Sequence, residues 1–172
     1  MHIKNFEFKA KVDDIQLYES KLLQLNPKFI GVDNQVDTYF NVNEGRLKLR
    51  EGNIENALIN YDREDVQNSK ESQIILYKHQ PNIALKNILE KQLGIKVIVS
   101  KKRKIYFVDN VKFHFDEVEN LGAFIEVEAI DENSKFEIDE LKNQCNKYME
   151  FFGLKKENLV EKSYSDLILE KK

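Results

Sequence analysis

Tryptophan is absent from this chain, cysteine occurs once, proline twice, and glycine only six times in 172 residues. Each scarcity excludes something. A single thiol, Cys145, cannot form an intramolecular disulfide, so the fold is expected to rest on packing and hydrogen bonds, as in a reducing compartment. With so little proline and glycine there is no linker, internal repeat or low-complexity segment. No apolar stretch follows Met1-His2-Ile3-Lys4-Asn5, and no run approaches spanning length, so neither a signal peptide nor a membrane segment is expected and the cytoplasm is the default location. An excess of either charge is also missing. Lys and Arg number 27 against 30 Asp and Glu, a formal net charge of −3. Nothing global therefore points to nucleic acid or to an anionic membrane surface, and any basic site must be local.

What is present suits a globular protein: 41% hydrophobic and 33% charged residues, in a length that is most economically one domain over 1–172. The dominant pattern is period-2 alternation. Residues 3–12 place Phe6, Phe8 and Ala10 on one face and Asn5, Glu7, Lys9 and Lys11 on the other. Residues 35–50 read as a hairpin with Asn43-Glu44-Gly45 at the turn, and its second strand sets Arg46, Lys48 and Arg50 against Leu47 and Leu49. Further strands are expected at 29–32, 57–64 (Ile59, Tyr61 and Arg63 on one face), 72–79, 95–108, 111–118 and 122–130. Helices are expected after Asp13-Asp14 as far as Leu25, from Pro81 to Leu93, at 135–152 and at 163–169. This is an α+β pattern, and about eight antiparallel strands permit a closed barrel.

Charge recurs on one face of nearly every strand. The cations are Lys9, Arg46, Lys48, Arg50, Arg63, Lys101 and Arg103; the acids are Glu7, Asp116, Glu126 and Glu128, with His114 beside Asp116. For any single strand a solvated cationic face is the ordinary explanation. Repeated around a barrel, the same pattern gives a charged interior. Buried unpaired charge costs several kcal/mol per ion, so either acids pair the cations off or a polyanion completes them. Arginine forks match phosphate oxygens, several in a row match a chain of phosphates, and carboxylates among them suit Mg²⁺ or Mn²⁺. The run Lys101-Lys102-Arg103-Lys104 lacks the wider basic surface of a nucleic-acid site. His114 reads as a hydrogen-bonded structural histidine before a proton shuttle. Among the tyrosines, Tyr61 is the best placed to meet a ligand.

These pieces, in this order, resemble the CYTH superfamily of triphosphate tunnel proteins, which includes class IV adenylate cyclases and thiamine triphosphatases. Asn5-Phe6-Glu7-Phe8-Lys9 is similar to its ExExK opening. The hairpin 35–50, Tyr61 with Arg63, the segment 101–106, His114-Phe115-Asp116, Phe124-Ile125-Glu126-Val127-Glu128 and Ser163-Tyr164-Ser165-Asp166 follow collinearly over essentially the whole chain. The resemblance implies a closed eight-stranded antiparallel tunnel with peripheral helices. It also implies phosphate ligands at Arg46, Lys48, Arg50, Arg63, Lys101 and Arg103, with Tyr61 alongside. Lys9, Arg63 and Lys101 would act in catalysis, and Mg²⁺ or Mn²⁺ would sit at Glu7, Asp116, Glu126 and Glu128. One position departs from the pattern: Asn5 stands where the motif begins with Glu, so either one metal site is weakened or Glu7 alone serves on that strand. The expected activity is that of a class IV adenylate cyclase, ATP to cyclic AMP and pyrophosphate. A triphosphatase acting on inorganic or thiamine triphosphate, and a non-catalytic polyphosphate- or nucleotide-binding module, are the alternatives. The partner is a small triphosphate, not nucleic acid or membrane, and the chain is a monomer or homodimer. Arg50→Ala and Arg103→Ala are expected to weaken binding and spare the fold.

Overall fold

A computed structural model describes residues 2–62 and 74–172. Eight strands close into one antiparallel barrel: β1 (His2–Val12), β2 (Lys28–Phe40), β3 (Arg46–Glu51), β4 (Ala57–Tyr61), β5 (Ile74–Lys78), β6 (Ile95–Val108), β7 (Val111–Val118) and β8 (Gly122–Asp131). Around the wall they run β1-β5-β4-β3-β2-β6-β7-β8. The helices are α1 (Ile15–Leu23), α2 (Ile83–Leu93), α3 (Ile138–Phe152) and α4 (Tyr164–Glu170), with a 3₁₀ turn at Lys156–Asn158. No helix among the described residues is long and apolar enough to cross a membrane.

The two strands expected at 29–32 and from 35 onward are one continuous strand, β2. Gly31 (φ 147°) sits at a register shift against β6, which bends the strand without ending it. Residues 63–73 lie outside the described residues, and with them the expected end of the 57–64 strand, the start of the 72–79 strand and Arg63.

The alternation in β1 decides where the apolar core lies. Phe6, Phe8, Ala10 and Val12 point outward, joined by Phe113 and Phe115 of β7 and by Ile125, Val127 and Ala129 of β8. Helix α3 covers them with Leu141, Cys145, Tyr148 and Phe152, spaced four, three and four residues apart along one helical face. A capping box between Glu137 and Glu140 starts the helix, and Gly153 in the left-handed region (φ 68°) ends it. Burial raises the Cys145 thiol to about 12, so it behaves here as a small hydrophobe. Each fully buried phenylalanine in this layer contributes about 1.5–3 kcal/mol. The main apolar core is thus outside the barrel, which leaves the lumen free to carry polar groups.

Nine residue pairs join β1 to β8, and among the described residues His2↔Ile75 and Ile3↔Ile74 join β1 to β5. Glu7, on the lumen face of β1, is exposed. Helix α4 lies across one end of the barrel and the β3–β4 turn across the other.

Candidate functional site

Strand alternation brings the predicted cations of β3 and β6 into the lumen, where register sets their neighbours. Asp37 on β2 faces Arg50 on β3, and Gln35 faces Lys101 on β6. Arg50 grips the Asp37 carboxylate with its fork, Nε and Nη2 each donating at 2.8 Å. Lys101 Nζ donates to the same group at 2.9 Å and Lys48 Nζ at 3.3 Å. Lys48 also stands 5.5 and 5.6 Å from the Tyr39 and Tyr61 ring centroids. Burial alone would raise the Asp37 carboxyl, but Arg50, Lys101 and Lys48 hold it well below the usual carboxylate range. One carboxylate therefore faces three cations.

A second group centres on Arg103. Its Nε and Nη2 take the two oxygens of Asp116 at 2.7 and 2.6 Å, and Nη2 also reaches Glu126 at 3.0 Å. Tyr164, from the first turn of α4, donates its hydroxyl to Asp116 at 2.8 Å. Lys9 lies 3.8 Å from Glu126, and His114 Nδ1 lies 3.1 Å from it. Burial pushes the His114 imidazole down, Arg103 adds to that, and Glu126 opposes it. The ring is thus a buried hydrogen-bonded histidine, as its sequence position suggested. At the α4 end, Arg46 donates to Ser163, Ser165 and Asp166 at 2.6, 3.3 and 3.0 Å, and Lys9 donates to the Lys162 carbonyl at 2.9 Å.

These contacts correct one expectation. Arg50 and Arg103 were expected to be dispensable for folding, as crowded like charges. Each is instead forked onto a buried aspartate, so removing either leaves a carboxylate without its principal partner. The residue that sequence reasoning missed is Asp37. Its signal was legible, since it alternates with Gln35 and Tyr39 on a strand facing the Arg46-Lys48-Arg50 strand.

The four predicted metal ligands divide. Both Asp116 oxygens are taken by Arg103 and Tyr164, and Glu126 gives Oε2 to Arg103 and His114. Glu7 and Glu128 are directly opposed on β1 and β8. A cation between two opposed carboxylates relieves their repulsion. Beside them Asn5 donates its Nδ2 to Glu128 at 2.9 Å, while its buried Oδ1 has no hydrogen-bond partner. An orphaned amide oxygen on a residue bonded to one of two opposed carboxylates is a donor type that suits a hard divalent ion. Among the described residues, no group of three or more His, Cys, Asp or Glu stands ready to hold a metal.

Lys101 carries a pH dependence. Burial pushes its ammonium down to about 7, Asp37 raises it, and Arg50, Arg103 and Lys48 lower it further. Between that value and the ordinary lysine range the unfolded chain holds a proton that the native chain lacks. The free protein should therefore gain stability as pH rises above about 7. A polyanion favours the protonated form. Its binding should take up a proton above neutrality and weaken by up to about tenfold per pH unit. Titration calorimetry at pH 8 in buffers of different ionisation heat reads that uptake; none would remove Lys101 from contact with the anion.

Comparison with known proteins agrees with this architecture. The CYTH domain profile matches residues 4–164. A protein of Methanocaldococcus jannaschii named as a candidate adenylate cyclase is 29% identical, over 94% of this chain and 96% of its own. A solved structure from Pyrococcus horikoshii superposes with a TM-score of 0.81 at 26% identity, covering 95% of this chain and 98% of that one. A Hippeastrum candidate adenylyl cyclase, described as having a dominant triphosphatase activity, shares the fold alone: TM-score 0.67 and 14% identity, over 100% of this chain and 97% of that one. With a family match across nearly its whole length and the closed eight-stranded barrel that goes with it, this chain belongs to the CYTH domain family.

Proposed function

We propose that this protein binds the triphosphate of a nucleotide in its lumen and, with Mg²⁺ or Mn²⁺, converts it as a class IV adenylate cyclase does, to cyclic AMP and pyrophosphate. The observation that carries the reading is the single Asp37 carboxylate among Arg50, Lys101 and Lys48. Three cations on one anion leave this part of the lumen short of negative charge, and a phosphate chain would supply it. The residual donors of Arg50 and Lys101 would hold the chain, with Lys48 and Tyr61 beside them. Arg46 and Lys9 would take phosphate oxygens at the α4 end by giving up their contacts to Asp166 and the Lys162 carbonyl. Asp116 would keep the Arg103 fork in place rather than hold metal.

Glu7, Glu128 and the Asn5 oxygen would hold the divalent ion, with Glu126 Oε1 within reach of the same strand pair. When bound, that ion supplies charge neutralisation at the phosphoryl oxygens. The nucleoside would lie toward a shallow cleft, open to solvent, that adjoins Arg46 and is lined by Phe40, Asn41, Leu47 and Leu169. The relative named as a candidate adenylate cyclase supports the same choice. Hydrolysis of a phosphoanhydride is the second reading, because exposed Glu7 lets water reach the metal-binding edge of the lumen. A product assay on ATP, tripolyphosphate and thiamine triphosphate with Mg²⁺ and Mn²⁺ decides. Cyclic AMP with pyrophosphate is the expected result. Free phosphate alone replaces cyclase by triphosphatase, and binding without product leaves only a binding module.

A further inference from the structure

The end of the barrel away from α4 is crossed by an ion pair. Glu55, in the turn between β3 and β4, meets Lys112 Nζ at 2.8 Å with one oxygen, and accepts from Gln35 Nε2 at 3.1 Å with the other. Lys112 belongs to β7, which is three strands around the wall from β3 and four from β4. In an eight-stranded barrel that contact spans the opening.

The turn is built to hold Glu55 there. Asp33, fully buried on β2, accepts the backbone N–H groups of Asn53, Ile54 and Glu55 at 2.8, 3.0 and 2.9 Å. A Cβ at Gly52 would lie 2.5 and 2.8 Å from the Asp33 oxygens, so the chain packs directly on that carboxylate. An ordinary hairpin turn needs no buried acid beneath it. Despite burial, Lys112 and then Arg50 keep the Glu55 carboxyl ionised.

The chemistry of the lumen changes at this point. From Arg46 to Arg50 it presents donors. Toward the β3–β4 turn Glu55 takes Lys112 and shares the Gln35 amide with Asp33, which accepts the same Nε2 at 2.8 Å. The buried Gln35 Oε1 and His114 Nε2 there have no hydrogen-bond partner.

We infer that Glu55 limits the length of the phosphate chain: it occupies the space and takes the donors that a fourth phosphoryl group would need, so the lumen accepts three phosphates and rejects longer chains. This rests on the triphosphate reading above. It also runs against plain electrostatics, because a longer polyphosphate carries more charge and should bind a cationic tunnel more tightly.

The test is calorimetric binding of sodium tripolyphosphate and sodium tetrapolyphosphate to the wild-type chain, Glu55→Ala and Glu55→Gln. The wild type should prefer tripolyphosphate by about tenfold or more, the scale of one lost charge-assisted contact. Glu55→Ala should bring the two affinities within about threefold by freeing Lys112 and the space beside it, and Glu55→Gln should fall between. Glu55→Gln keeps the side-chain volume and one acceptor oxygen while removing the charge, and it decides the matter if Glu55→Ala fails to fold. An unchanged ratio in a folded variant overturns the gate alone, as does a wild type that prefers the longer chain. A wild type that binds neither polyphosphate overturns the triphosphate reading and the gate with it.

Discussion

Arg103→Ala is expected to lose about 3–5 kcal/mol of stability, the range for breaking a buried ion pair by removing one partner. Arg103 is 3% exposed and Asp116 0%, so solvent cannot screen what remains. Asp116 would keep only the Tyr164 hydroxyl, and Glu126 only His114 and a more distant Lys9. For a domain of this size the melting temperature should fall by roughly 10 °C. Arg103→Lys should be intermediate, since it keeps the charge and loses the fork. Thermal unfolding of both variants beside the wild type checks both points. A wild-type melting temperature in Arg103→Ala would mean that the Asp116 contact contributes nothing to the fold.

Asp37→Asn acts in the opposite sense on the ligand. It removes the anion that Arg50, Lys101 and Lys48 share, so three cations face a neutral amide. The free protein should lose stability, toward the lower end of the same range of about 3–5 kcal/mol, because Lys101 can shed its proton as partial relief. Tripolyphosphate should then return most of that loss, since the polyanion no longer competes with an internal carboxylate. The expected signature is a larger ligand-induced rise in melting temperature for Asp37→Asn than for wild type, and a smaller one for Arg103→Ala, which leaves surplus negative charge. Melting curves for the three proteins, with and without tripolyphosphate, supply the comparison. A smaller rise in Asp37→Asn would show that Asp37 positions the cations rather than occupying their ligand site.

The contrast between these two variants marks what could be read from the sequence. Alternation places a side chain on a face, so Arg46, Lys48, Arg50, Lys101, Arg103, Glu126 and Glu128 were legible as one interior set, and the outward Phe6, Phe8 and Ala10 as core. Collinear motifs fixed the family. Partnership was not legible, because it depends on which strands become neighbours when the barrel closes. Asp116 meets Arg103 only through the β6–β7 register, and Tyr164 reaches Asp116 only after α4 folds over the barrel end. Glu55 carries no strand periodicity at all. It stands in a turn, and its meaning comes from Lys112, 57 residues away. Asp37 is the intermediate case, visible by alternation but outside any motif that asks for an acid.

On the proposed reading the Asp37 cluster makes the lumen an acceptor for a phosphate chain, and one measurement bears on that most directly: the melting temperature of the wild-type protein with tripolyphosphate, against orthophosphate at matched ionic strength, with and without Mg²⁺ or Mn²⁺. A ligand that binds only the native state adds about 2.7 kcal/mol at a hundredfold excess over Kd, so tripolyphosphate should raise the melting temperature by several degrees and orthophosphate should not. An unchanged melting temperature in millimolar tripolyphosphate, under all metal conditions, would contradict the account.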